Sequence, residues 1–217
     1  MVKDLAIYGA GGLGKEVACL IDRINKYAPE PVWNLIGFFD DQKNKDTAIS
    51  HFGCVLGDID ELNSWPTPLA VTLAIAQPKT LHCIFNKIKN PLVEFPNLID
   101  RSFYKVDPDT CQIGKGNIIQ GPGSVSCDVT LGDFNILNGG VVIGHDVSIG
   151  DFNVIMPGTR VSGEVRMGNT NFLGIQSIVL QQIHLGDNVT LGAGSALMTK
   201  PHNDSLYIGI PAKLFKY

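Results

Sequence analysis

At 217 residues the chain is long enough for one large domain or two modest ones around a real apolar core. Its formal net charge is −4 with no run of Lys or Arg, which argues against nucleic acid or an acidic membrane as a partner, and no stretch approaches the roughly 18 apolar residues that a membrane span needs. Five cysteines (Cys19, Cys54, Cys83, Cys111, Cys127) lack metal-ligand spacing and read as reduced thiols. The N-terminal MVKDLAIYGAGG lacks a signal peptide's long apolar segment and cleavage site, so a cytoplasmic protein is expected.

The first element is a short apolar strand, Leu5 to Tyr8. Gly9, Gly11 and Gly14 then match G-x-G-x-x-G, and Val17, Leu20, Ile21 and Ile24 follow at helical spacing. A second apolar run, WNLIGFFDD, ends on Asp40 and Asp41, and a third spans Leu69 to Ala76. This strand–loop–helix–strand order predicts an α/β, Rossmann-like half domain that binds a nucleotide, with a purely structural tight turn as the alternative reading of the Gly loop. The glycines let main chain approach a phosphate, the helix N-terminus offers free N–H groups, and an acid ending the second strand can hold a ribose or base. A nicotinamide cofactor fits poorly. The acid lies 26 residues beyond Gly14, only about 100 residues precede the next domain, and no hydride-transfer site is evident.

From Ile113 onward every sixth residue is aliphatic or Met: Ile113, Ile119, Val125, Leu131, Leu137, Ile143, Ile149, Ile155, Val161, Met167, Leu173, Val179, Leu185, Leu191 and Leu197. The residue two before each is small, Asn or β-branched, and the residue after is often Gly. A period of six fits a short strand plus a tight turn, with positions i and i−2 facing inward. Gly and Asn are expected to take the turn dihedrals. The reading is an all-β parallel β-helix of about five coils, three hexads to a coil. The expected domains are residues 1–105 and 106–217.

The segments IGHDVSIGDF, VSGEVRMGN and IGIPAK resemble the hexapeptide-repeat acyltransferases, which implies a left-handed helix. The combination of IYGAGGLGKEV, IGFFDD, FPNLI and NGGVVIGHDVSIGDF resembles one subgroup, the sialic acid O-acetyltransferases and the nucleotide-amino-sugar N-acetyltransferases. The resemblance implies that the first domain holds a nucleotide-sugar through Gly12, Leu13, Gly14, Asp40 and Asp41. Relatives that bind UDP-sugars often carry His where this chain has Leu13. They carry a Gly–Asn pair at Ala76–Gln77 and a His at Asp100.

His145 is followed directly by Asp146. Acetyl transfer needs a base for the acceptor's proton; an imidazole suits near-neutral pH, and an adjacent carboxylate can fix its tautomer. Two residues past the inward Ile143, His145 is expected outside the core near a corner. The resemblance makes His145 the general base, Asp146 its partner where several relatives have Glu, and Asn138 a residue that orients the acceptor. It also implies an acetyl-CoA site between subunits of a homotrimer, lined by Gly163, Ile175 and Ala193 with Lys213 at the far end, and a donor contact missing at Val154. His184 and His202 read as surface residues. The carbonic anhydrase-like cousins need three histidines; only His145 lies in a suitable repeat, so no metal is expected. The function so implied is acetylation of the amino group of a nucleotide-activated amino sugar in bacterial glycan synthesis. The alternatives are O-acetylation of sialic acid, serine or another small hydroxyl compound, and a non-catalytic trimeric scaffold.

Overall fold

The computed structural model describes residues 2–215. The chain divides into two compact units at Ile99/Asp100 rather than at 105/106. The reason is local: Phe103–Lys105 already pairs with Gly123–Val125 as the opening strand of the first coil.

The first unit is a parallel sheet with helices. In chain order it comprises β1 (Lys3–Tyr8), α1 (Gly12–Tyr27), β2 (Trp33–Phe39), β3 (Val55–Gly57), α2 (Ile59–Asn63), β4 (Leu69–Leu73), α3 (Pro78–Lys87) and β5 (Val93–Glu94). The sheet order is β3-β2-β1-β4-β5, all parallel, so the chain reverses its direction of growth between β1 and β4. Ligands of such sheets bind outside the carboxyl ends of the strands at that reversal, where the Gly loop stands. β4 is buried along its whole length, as a central parallel strand should be. Helix α1 buries Gly14, Val17, Ala18, Leu20 and Ile21, a stripe at the spacing the sequence suggested.

In the second unit three parallel sheets wrap into a prism. The first runs through Phe103–Lys105, Gly123–Val125, Val142–Ile143, Arg160–Val161, Ile178–Val179 and Ala196–Leu197. The second runs through Cys111–Ile113, Val129–Leu131, Ser148–Ile149, Arg166–Met167 and His184–Leu185. The third carries Ile118–Ile119, Ile136–Leu137, Val154–Ile155, Phe172–Leu173 and Thr190–Leu191, and ends in a hairpin of Leu206–Gly209 with Ala212–Phe215. Five coils close and a sixth begins.

Positions i and i−2 fill the interior as the period requires. From Ile119 to Leu197 the sixfold aliphatic series is buried throughout. Each fully buried aliphatic side chain contributes about 1.5–3 kcal/mol. The i−2 asparagines Asn117, Asn135, Asn153 and Asn171 are wholly buried and form a ladder with a step of 18 residues. The side-chain oxygens of Asn117, Asn135 and Asn153 accept the main-chain N–H of the next Asn and that of Asn171 accepts from Val189, while each amide nitrogen donates to a glycine carbonyl one corner away. These asparagines are internal struts rather than ligands.

The turns differ from expectation. The left-handed backbone conformation falls three residues after every inward aliphatic but Ile119 and Leu197, mostly on residues with side chains: Asp128, Phe134, Asp146, Phe152, Glu164, Thr170, Gln176, Gln182 and Asn188, with glycine at 116, 140, 158 and 194. The glycine directly after the aliphatic is needed for space instead. A Cβ on Gly132 would lie 2.2 Å from Asp151 Oδ1, which accepts the N–H of Asp133 from the coil before.

Candidate functional site

Two places in the chain carry unspent chemistry. In the α/β unit it is main chain. Helix α2 is closed by a capping box of Asp58 and Glu61, and α3 by the side chain of Gln77. Helix α1 begins after Gly11 with no side-chain cap and no acid in its first turn. Its first N–H groups and the positive end of its dipole therefore remain available to an anion. Gly11 and Gly12 have open space where a Cβ would project, and Leu13 is half-buried. Gly14 is different. It is buried, and a Cβ there would lie 2.0 Å from the carbonyl oxygen of Gly9, so its glycine is required by the packing of loop on helix.

Asp40 and Asp41 support this loop from the end of β2. Asp40 accepts from the N–H of Ala10 at 2.7 Å and of Gln42 at 2.8 Å. Asp41 accepts from the Tyr8 hydroxyl and from the N–H of Ile59. Burial, reinforced by the bond to Asp41, pushes the Tyr8 hydroxyl far above the ordinary phenol range, so it stays a donor. Both acids thus have an internal task besides the ligand contact expected of them. They also border a cavity of about 280 Å³ together with Lys43, Lys45 and Asp58.

In the second unit the chemistry is in side chains. His145 follows the strand Val142–Ile143 at the corner between the first and second sheets. Main-chain bonds from Asp146 N–H to the Cys127 carbonyl and from Glu164 N–H to the His145 carbonyl pin this corner to the coils on either side. Asp146 takes the left-handed conformation at φ 55, which Asp tolerates better than most residues. There its Oδ2 lies 2.7 Å from His145 Nδ1. The two side chains are 50% and 57% exposed. With Nδ1 donating to the carboxylate, the lone pair stands on Nε2, where a base facing solvent must have it.

The same corner one coil further on holds Gly163 and Glu164. Both Glu164 oxygens are engaged, by Gln181 at 2.9 Å and Gln182 at 3.0 Å. Those two bonds, with the His145 imidazole adding to them, hold the carboxyl below the ordinary glutamate range. Asp146, Glu164, Arg166, Gln182 and His184 line a polar cavity of about 650 Å³. The sequence did not single out Glu164, Arg166 and Gln182; His184, expected at the surface, is exposed and borders this cavity. The signal was present in the coil step: 146, 164 and 182 stand one coil apart, as do 166 and 184.

The remaining expected residues lie elsewhere. Ile175 and Ala193 are exposed at the corner between the third and first sheets, one coil apart. Asn138 lies at that corner too. It is buried, its amide donating to the Ile155 carbonyl at 3.1 Å and its oxygen accepting from Gln120. Lys213 is exposed on the closing hairpin. One chain therefore brings His145, Asp146 and Gly163 together and sets Asn138, Ile175 and Ala193 on a different edge of the prism. Among the described residues no three His, Cys, Asp or Glu side chains gather as a metal would require, and no helix is long and apolar enough to cross a membrane.

A Gly-loop α/β unit followed by a parallel β-helix of hexapeptide repeats, with a His–Asp pair at a corner, is the build of a hexapeptide-repeat acyltransferase. Comparison with known proteins agrees. Residues 4–88 match the family described as the PglD N-terminal domain. The acetyltransferase domain of PglB from Neisseria gonorrhoeae FA1090 is 27% identical, with a TM-score of 0.86 over 98% of this chain and 100% of that one. The same domain in complex with acetyl coenzyme A superposes with a TM-score of 0.72 over 99% of this chain and 100% of that one, at 27% identity. A variant of perosamine N-acetyltransferase from Caulobacter crescentus, in complex with CoA and GDP-perosamine, shares the fold at 22% identity. Its TM-score is 0.85 over 100% of this chain and 99% of that one. No curated protein sequence matches the chain. Residues 4–88 thus carry a PglD-type N-terminal domain, and the whole chain shares the fold of these acetyltransferases, an α/β unit followed by a left-handed β-helix, which supports acyltransferase activity.

Proposed function

We propose that the protein is an acetyl-CoA-dependent acetyltransferase acting on the amino group of a nucleotide-activated amino sugar in bacterial glycan synthesis, as a cytoplasmic homotrimer. The observation that carries the reading is the His145 Nδ1–Asp146 Oδ2 contact of 2.7 Å on an exposed corner. It prepares Nε2 to take a proton from an acceptor amine as the nitrogen attacks the thioester carbon. The C–S bond then breaks and CoA leaves as its thiol, the proton having passed through the imidazole. Asp146 stabilises the imidazolium while it exists.

The uncapped start of α1 supports a phosphorylated acceptor. In this reading Gly12, Leu13 and Gly14 present N–H groups to the nucleotide phosphates, while Asp40 and Asp41 hold the loop and meet the nucleoside. The donor lies along the edge bearing Ile175 and Ala193, with Lys213 near its phosphates. That edge is not the one bearing His145, so a site uniting them draws its two edges from two copies of the chain. This supports the trimer, and sedimentation equilibrium is expected to return three copies; a monomer at micromolar concentration would remove the proposed site.

The neighbours' ligands, acetyl coenzyme A in one and CoA with GDP-perosamine in another, point to the same pair of substrates. Thermal shift with acetyl-CoA and with a panel of UDP-, GDP- and CMP-amino sugars tests this. Stabilisation by acetyl-CoA and by one nucleotide-sugar is the expected result. Stabilisation by acetyl-CoA alone points to a small hydroxyl acceptor, and by neither to a scaffold.

A further inference from the structure

We propose that Gly163 is a positioning residue for His145: it is glycine because the imidazole occupies the space its Cβ would need. The inference rests on reading His145 as the base. It assigns Gly163 a role other than the donor contact implied by family resemblance.

The repeat supplies its own control. Cys127, His145, Gly163 and Gln181 occupy one corner position in successive coils, 18 residues apart. Three of the four carry side chains, so the position itself does not demand glycine. Nor does the backbone, because Gly163 is not among the residues in the left-handed region. What is special at Gly163 is the residue one coil before it. An ideal Cβ would stand 2.6 Å from His145 Nε2, 2.7 Å from Cε1 and 3.1 Å from Cδ2, and these ring atoms are its three nearest neighbours. The glycines next in kind are limited by main chain instead: a Cβ on Gly144 would lie 2.6 Å from the Gly163 nitrogen, and one on Gly174 2.6 Å from the Ala193 nitrogen.

The imidazole is therefore seated on two sides. Asp146 holds Nδ1, and the Nε2 end lies against the bare Cα of Gly163. An added methyl group would be relieved cheaply, because the atoms in its way form the far end of one side chain. Relief moves the base itself. The ring must retreat by several tenths of an ångström, and a misplacement of about 1 Å can cost on the order of 10²-fold in rate.

Gly163→Ala tests this. Expected are a fall in kcat of about tenfold or more, an unchanged Kd for CoA by calorimetry and an unchanged Tm. In the His145→Ala background the same substitution should change none of the three, since there is no ring to displace. A weakened CoA affinity with kcat retained would overturn the proposal in favour of a donor contact. An equal loss of kcat in both backgrounds would overturn it in favour of a general backbone role. The imidazole signals in a histidine NMR spectrum, assigned by their disappearance in His145→Ala, give a readout independent of turnover. They should shift in Gly163→Ala, and unshifted signals would contradict the seating even if His145 proved not to be the base.

Discussion

The Gly loop of the α/β unit and the His145 corner of the prism are both turns built on glycine, yet they expose opposite kinds of chemistry. The loop offers main-chain donors that no side chain satisfies, at the start of α1. The corner offers a side chain whose partners are already in place, Asp146 on one side and Gly163 on the other. An unsatisfied helix start favours whatever anion arrives, whereas a seated imidazole favours one proton transfer in one direction. Substitutions in the loop should therefore register in acceptor KM, and substitutions at the corner in kcat.

The largest expected effect breaks the corner. His145→Ala should lower kcat by about 10²–10⁴-fold, the usual contribution of positioned proton transfer. CoA affinity and Tm should be retained, because the ring is half exposed and packs no core. Asp146→Asn should cost less, since the imidazole can still accept a proton with its tautomer less firmly fixed; steady-state kinetics of the two variants side by side give the ranking.

The loop separates into two expectations. Gly14→Val forces a side chain against the Gly9 carbonyl and should destabilise the α/β unit by roughly 1–3 kcal/mol, read as a lower melting transition. Gly12→Ala points into open space and should leave Tm unchanged while raising acceptor KM several-fold, with CoA affinity untouched. If the two variants behave alike, the loop is structural throughout.

The smallest effect concerns Glu164. Its carboxyl is held below the ordinary glutamate range, so it adds stability that is present above the unfolded value and lost as pH falls through the lowered one. Glu164→Gln should melt slightly below the wild type at neutral pH, and the difference should shrink as pH falls below the ordinary glutamate range and through the lowered value. A difference that persists at the acid end would mean that the bonds from Gln181 and Gln182 matter for packing rather than charge.

The prism was legible in the sequence because every coil repeats the same demand. Ile143, Val161 and Val179 face inward in successive coils for one reason, and fifteen such positions cannot align by chance. The α/β unit was legible from Gly9 to Ile21 because strand, loop and helix are contiguous. What escaped was anything set by contact between coils. Gly132 yielding to Asp151 and Glu164 clamped by Gln181 and Gln182 both depend on contact between coils, about 18 residues apart, while the eye follows six. Gly14 shows that a glycine in a phosphate-binding pattern can also be demanded by its own loop, a task the pattern alone does not reveal.

Acetyl transfer from acetyl-CoA to a panel of nucleotide-activated amino sugars, measured for the wild type and His145→Ala at equal protein concentration, tests the central claim most directly. The account predicts N-acetylated product from the wild type with at least one such sugar, and a rate in the variant lower by about two to four orders of magnitude with CoA binding intact. A folded variant that turns over as fast as the wild type, or a wild type that acetylates none of the amino sugars, would contradict it.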